Sequence, residues 1–357
     1  MGSLLKQAVQ LYENAGVALE RGEFARSEAL HLASINLFER ARRHNSLDAA
    51  GVYIALAGLR QQIGNLDDAL QAASKADAIL STSVPDPASA ETARLRIMAW
   101  AQIGAIHRQR AEYDRAEKIL QQALALAIHY FGEDSESASD TRNELGVLYK
   151  YTARFDKAEA LYQAALTTLL EQHGPLNASV AAVYHNLGGL EHARQRFSEG
   201  EPFGRKAWEI DRQLLGEDHP TTLADAAAYA GLLDGLERYS ESEPIYRRVL
   251  AGFTALYGAE HYEIAVNLNN LANVRNARGF PLEAEDLLRQ AIAIKEKLFG
   301  PDHPETALSL NNLGVILKEQ GRTVEARGLF QKALYAFERH LGRDHPNTRL
   351  ARANLAA

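Results

Sequence analysis

HPETALSLNNLGVILKEQG occupies residues 303–321, and forty-two residues earlier, at 261–279, stands HYEIAVNLNNLANVRNARG. Each opens beside a helix-start signal, carries apolar residues every three or four positions and closes on glycine, so each reads as one helix with its own start and stop. In the middle of both stand adjacent asparagines, Asn269–Asn270 and Asn311–Asn312. Asparagine costs roughly a few tenths of a kcal/mol in a helix interior relative to better formers. Something other than helix stability must favour the pairs.

Working outward, the same spacing runs along the chain. Gly132, Gly174, Gly216, Gly258, Gly300 and Gly342 recur every 42 residues, each read as a helix stop whose missing side chain removes the cost of a positive φ. Acid-His-Pro triplets follow several of them: Asp218-His219-Pro220, Asp302-His303-Pro304 and Asp344-His345-Pro346. Proline at the first helical position is preset for helix and lacks an N–H that would be orphaned there. Stops and starts therefore alternate.

A second break splits each unit into a helix pair. It falls at Gly22-Glu23-Phe24, Gly64-Asn65-Leu66, Ala111-Glu112-Tyr113, Ala153-Arg154-Phe155, Gln195-Arg196-Phe197, Glu237-Arg238-Tyr239, Gly279-Phe280-Pro281 and Gly321-Arg322-Thr323. Eight pairs result. The domain reading is two divergent pairs over 4–80, a Pro/Ser-rich loop over 81–90, six 42-residue pairs over 91–342 and a terminal helix over 345–357. That last helix begins a ninth unit, either as a cap or as the cut edge of a longer protein, and a fragment is the favoured reading.

Three columns select the kind of repeat. Ala15, Ala57, Gly104, Gly146, Gly188, Ala230, Ala272 and Gly314 stand in each first helix. Ser27, Ala69, Ala116, Ala158, Gly200, Ser242, Ala284 and Ala326 open each second helix, and Ser34, Ala76, Ala123, Ala165, Ala207, Val249, Ala291 and Ala333 follow seven residues later. Small side chains in register let helices approach closely, with Leu56, Ile103, Leu145, Leu187, Leu271 and Leu313 filling the space between. A HEAT or armadillo array competes, because its period of about 40–47 residues brackets 42. The small-residue columns argue against it, and the excess over a 34-residue unit is only about two helical turns.

The pattern resembles the tetratricopeptide repeat. With NNLG, EAE, a Leu/Phe-Gly stop and DHP it is similar to the kinesin light chain type, most strongly from Ser137 to Ala357. The resemblance implies an all-α fold, an α-solenoid coiled into a right-handed superhelix whose first helices line a concave groove. It also implies that residues three before and one after the first small column face that groove, which selects Asn143, His185, Asn269, Asn273 and Asn311. Further along the same face lie Arg108, Lys150, His192, Asn276 and Lys318. An amide donates and accepts at once, so it suits the backbone of an extended peptide. The competing expectation is that Asn186, Asn270 and Asn312, the second of each pair, tie repeat to repeat. Ala227, Ala228 and Gly231 leave the sixth groove wall small, as a pocket for a bulky side chain would require.

Composition sets the remaining bounds. At 46% apolar and 24% charged, the 357 residues suffice for a large core. A net charge of −7 with interspersed signs gives no basic footprint for nucleic acid. Cysteine is absent, which removes disulfides and thiolate metal sites. No long apolar run or basic-then-apolar leader occurs, so neither a membrane span nor a signal peptide is read, and the cytoplasm is the expected compartment. His219, His261, His303 and His345 form a 42-residue ladder, better suited to helix starts than to a converging metal site. No nucleophile elbow, phosphate loop or His-Glu-x-x-His motif occurs, so no enzyme, cofactor or metal is expected.

The expected function is a scaffold or adaptor that captures a linear segment of a protein partner. The kinesin light chain resemblance implies acidic residues around an aromatic anchor in that segment, with Arg108, Lys150 and Lys318 as its cations. The alternative is a structural or regulatory array that packs on another domain or on itself.

Overall fold

The computed structural model of the chain describes residues 2–20, 23–82 and 89–356. Residues 83–88 of the expected loop and Gly22 of the first break lie outside the described residues. Among the described residues there are seventeen helices and no strand. Eight pairs run in order: α1 (Gly2–Glu20) with α2 (Phe24–Arg40), α3 (Leu47–Gln62) with α4 (Leu66–Thr82), α5 (Ala90–Gln109) with α6 (Tyr113–Phe131), and α7 (Glu136–Tyr151) with α8 (Phe155–His173). They continue with α9 (Ala178–Ala193) and α10 (Phe197–Leu215), α11 (Pro220–Gly235) and α12 (Tyr239–Tyr257), α13 (Tyr262–Ala277) and α14 (Pro281–Phe299), and α15 (Pro304–Glu319) and α16 (Thr323–His340). A lone α17 (Pro346–Ala356) follows. The all-α solenoid expected from the sequence is what forms.

Two compact units result, residues 1–148 and 149–357, with the division inside α7. In the first, α1 to α6 pack each on the next, and α1, α3 and α5 touch in series. In the second, α8 to α17 do the same, with α9, α11, α13, α15 and α17 in contact along the first-helix layer.

Local chemistry sets the ends of these helices. His219, His261, His303 and His345 each accept, at Nδ1, the backbone N–H two residues on, at 3.2, 3.3, 3.2 and 3.2 Å. The imidazole ladder thus satisfies orphan amides. Ser46, Ser89 and Asn177 serve α3, α5 and α9 in the same way.

The two glycine-bearing columns differ in backbone. Between paired helices, Ala111, Ala153, Gln195 and Glu237 adopt φ of 58°, 57°, 61° and 58°, a left-handed conformation that a side chain tolerates at a cost of about 1–2 kcal/mol. Between pairs, Gly216 sits at φ 90°, ψ 168° and Gly300 at φ 85°, ψ 167°, a region open essentially to glycine alone. Hence the 42-residue glycines do not vary, while the shorter turns accept other residues.

The small columns are where the helices meet. Ala15, Ala57, Ala230 and Ala272 have no exposed surface. A Cβ on Gly104 would lie 2.6 Å from Leu120 Cγ, and one on Gly314 would lie 2.6 Å from Phe330 Cε1. Bulky side chains of the second helix fill the place that these residues vacate, which is close packing by size complementarity. In the first pair Ser27 and Ser34 use the same proximity to donate to Ala15 O and Ala8 O, both at 2.8 Å.

Candidate functional site

In the first unit α3, α5 and α7 enclose a cavity of about 630 Å3. Two of the residues expected in the groove, Arg108 and Asn143, line it together. Its floor is the α5 face carrying Ile97, Met98, Ala101 and Ala105, with Met98 half exposed. Glu136, Asp140 and Glu144 form one wall, and their four-residue spacing puts them on one stripe of α7. Burial pushes the Glu144 carboxyl up, against the pull of the Arg108 guanidinium. The four-residue spacing of these acids is visible in the sequence, but the same spacing marks an ordinary solvated helix face, and only the placement of α7 beside α5 turns it toward a cavity.

In the second unit the structure brings Lys150 and His192 together across α9. A Cβ on Gly189 would come within 3.0 Å of Lys150 Nζ. Although His192 keeps solvent contact, the protein around it and then the Lys150 ammonium hold its imidazole below the usual histidine range. Gly231 does not leave an open pocket there: a Cβ would meet Tyr246 Oη at 3.5 Å and His192 Nε2 at 3.7 Å. Beneath them Asp234 accepts from Tyr246 Oη at 2.8 Å, and burial lifts its carboxyl to about 6.

His185 is tied inward. Its Nδ1 donates to Asp225 Oδ1 at 2.6 Å, and Asp225 in turn faces Asp211 of α10. Both carboxyls are 3% exposed. Burial, then the charge of Asp225, raises Asp211 to about 7, as a pair of enclosed acids sharing one proton requires. Nothing in the residue spacing of a first helix and a second helix announced this contact.

The asparagines fall differently from the groove expectation. Asn269 and Asn311 are only 5% and 3% exposed. Asn269 Oδ1 accepts from Asn312 Nδ2 at 3.3 Å, and Asn311 Oδ1 accepts from Asn354 Nδ2 at 3.0 Å. The first asparagine of each pair therefore bonds to the asparagine at the second position one repeat on, and a buried amide finds its partner in the next repeat rather than in a ligand. Asn276 donates to Glu319 at 2.8 Å, again one repeat on. Asn273 is exposed and Lys318 half-buried. Among the described residues no group of three or more His, Asp or Glu is arranged to hold a metal ion.

The tetratricopeptide repeat family model matches residues 95–171, 179–255, 224–297, 263–338 and 310–357. The chain belongs to the tetratricopeptide repeat family. Its helix-stop glycines recur every 42 residues from Gly132 to Gly342. Comparison with curated protein sequences gives no match. Among solved structures, this tetratricopeptide chain is similar to the Rap conjugation gene regulator of the plasmid pLS20 in complex with the Phr* peptide, at 16% identity and a TM-score of 0.65, with 95% of each chain covered. It is also similar to a Rap protein complexed with Competence and Sporulation Factor, at 13% identity and a TM-score of 0.60, covering 98% of this chain and 97% of that one. BtubC from P. vanneervenii is 22% identical, with a TM-score of 0.46, over 67% of this chain and 93% of its own. No helix among the described residues is long and apolar enough to cross a membrane.

Proposed function

We propose that the protein is an interaction scaffold whose first-helix faces hold a linear peptide segment of a partner protein. The observation that carries this reading is the cavity of the first unit, where three successive first helices converge on an apolar floor edged by polar side chains. Cavities of this size take ligands of a few residues, and a floor with few convergent polar groups fixes their orientation. The amides that would have read a peptide backbone at Asn269 and Asn311 are committed to the neighbouring repeat, and His185 to Asp225, so the capturing residues are Arg108 and Asn143 in the first unit and Lys150, His192, Asn273 and Lys318 in the second. A structural neighbour in complex with a peptide supports the fold-level part of the reading.

The second reading is a structural or regulatory array that packs on another domain of a longer chain or associates with itself, without a free peptide ligand. Selection of a randomised heptapeptide display library against the whole chain separates the two. A recovered consensus whose binding changes, in either direction, with Arg108→Ala or falls with Met98→Ser supports the scaffold. Failure to recover any consensus, together with concentration-dependent self-association in light scattering, would reject it in favour of the array.

A further inference from the structure

Within the cavity of the first unit, Glu144 stands apart from its neighbours. Its side chain is partly exposed to the cavity, and among the described residues it has no hydrogen bond or ion pair, with Arg108 acting on it only through space. A partly shielded carboxylate without a direct partner favours a cation delivered to it more than a fully hydrated one does. The α7 stripe adds Glu136 and Asp140 on the same side. At one end of the cavity the Arg94 guanidinium lies over the Phe131 ring, 5.5 Å from its centroid. Facing the stripe is an aliphatic surface with Met98 half exposed at its centre. A basic side chain matches both features together, because lysine and arginine carry an apolar stem and a charged head.

Resting on the scaffold reading, we propose that this cavity takes a basic side chain of the partner segment, flanked by a bulky aliphatic residue. The stem lies along Met98, Ala101 and Ala105, and the cationic head reaches Glu144. This reverses, for the first unit, the acidic ligand that the kinesin light chain resemblance implied. It also explains why an interaction face carries a carboxylate stripe directly beside its most exposed apolar side chain.

Two fluorescein-labelled heptapeptides test it on the whole chain: one with the core Leu-Lys-Leu-Arg-Leu between glycines, and its twin with Lys and Arg replaced by Glu. Anisotropy titration at low salt is expected to give at least about tenfold tighter binding for the basic peptide, with the preference shrinking as salt is raised. Glu144→Gln, which keeps shape and removes charge, is expected to weaken the basic peptide by about fivefold or more. Met98→Ser, at an exposed position that leaves folding undisturbed, is expected to weaken it as well.

An acidic twin that binds as well or better overturns the proposal, as does a basic peptide indifferent to both substitutions. If neither heptapeptide binds while the display library yields a consensus, the basic subsite is wrong and the scaffold stands. If the library yields nothing either, both fall.

Discussion

The side-chain amide of Asn312 donates to Oδ1 of Asn269, one repeat earlier, at 3.3 Å, and Asn354 repeats this bond to Asn311 at 3.0 Å. The paired asparagines are a polar seam between repeats. Asn311→Ala deletes the acceptor and leaves Asn354 without its partner, so a loss of about 1–2 kcal/mol is expected in urea unfolding. Unchanged stability would show that the amides are dispensable to the seam.

The two turn columns should respond oppositely. Gly216→Ala forces a side chain into a glycine-only conformation and is expected to cost about 1–3 kcal/mol. Gln195→Gly relieves a left-handed residue while loosening the unfolded chain, so its net effect should stay within about 1 kcal/mol. Denaturant midpoints of the two variants decide the matter, and equal losses would refute the distinction.

Size at the small columns is equally exposed to measurement. Gly314→Ala places a Cβ 2.6 Å from the Phe330 ring, so α15 and α16 must part or Phe330 must leave its rotamer. A loss of about 1–3 kcal/mol is expected, largely recovered when Phe330→Leu is added. A double variant no more stable than the single one would place the strain elsewhere.

Asp211 gives a pH signature of known sign. Its carboxyl is raised from 3.8 to about 7 in the folded chain, so its contribution is fully present below pH 3.8 and is lost as pH rises through about 7. Asp211→Asn, which imitates the protonated acid, should therefore stabilise the chain at pH 8 by roughly 1–3 kcal/mol and by much less at pH 5. Thermal melts at the two pH values would contradict this if the gain were larger at pH 5.

His345 works in the other direction. Burial lowers its imidazole below 6.5, with the bond to the Tyr151 carbonyl opposing, so its contribution is present above pH 6.5 and is lost as pH falls through the folded value. Asn at this position still caps α17 and does not titrate. The loss of stability on acidification below pH 6.5 should be shallower in His345→Asn, as read from melts across that range, and an identical slope would assign the acid sensitivity elsewhere.

Sequence alone determined the periodic part of the protein. Helix starts and stops depend on chemistry within a few residues, as when His303 caps the amide of Glu305 or Gly300 adopts a backbone that other residues avoid. Small residues in register specify close helix contacts because a missing Cβ excludes nothing. The contacts between different units were beyond its reach. That Asn269 would turn to Asn312 rather than to a ligand, that Asp211 would meet Asp225, and that Glu144 would line one cavity with Met98 depend on how far each helix pair rotates on the last. That rotation comes from packing between faces distant in the chain, and a shift of about one residue around a helix, 100°, moves a side chain from seam to groove. Tertiary structure alone decided which polar residues are spent holding repeats together and which remain to meet a partner.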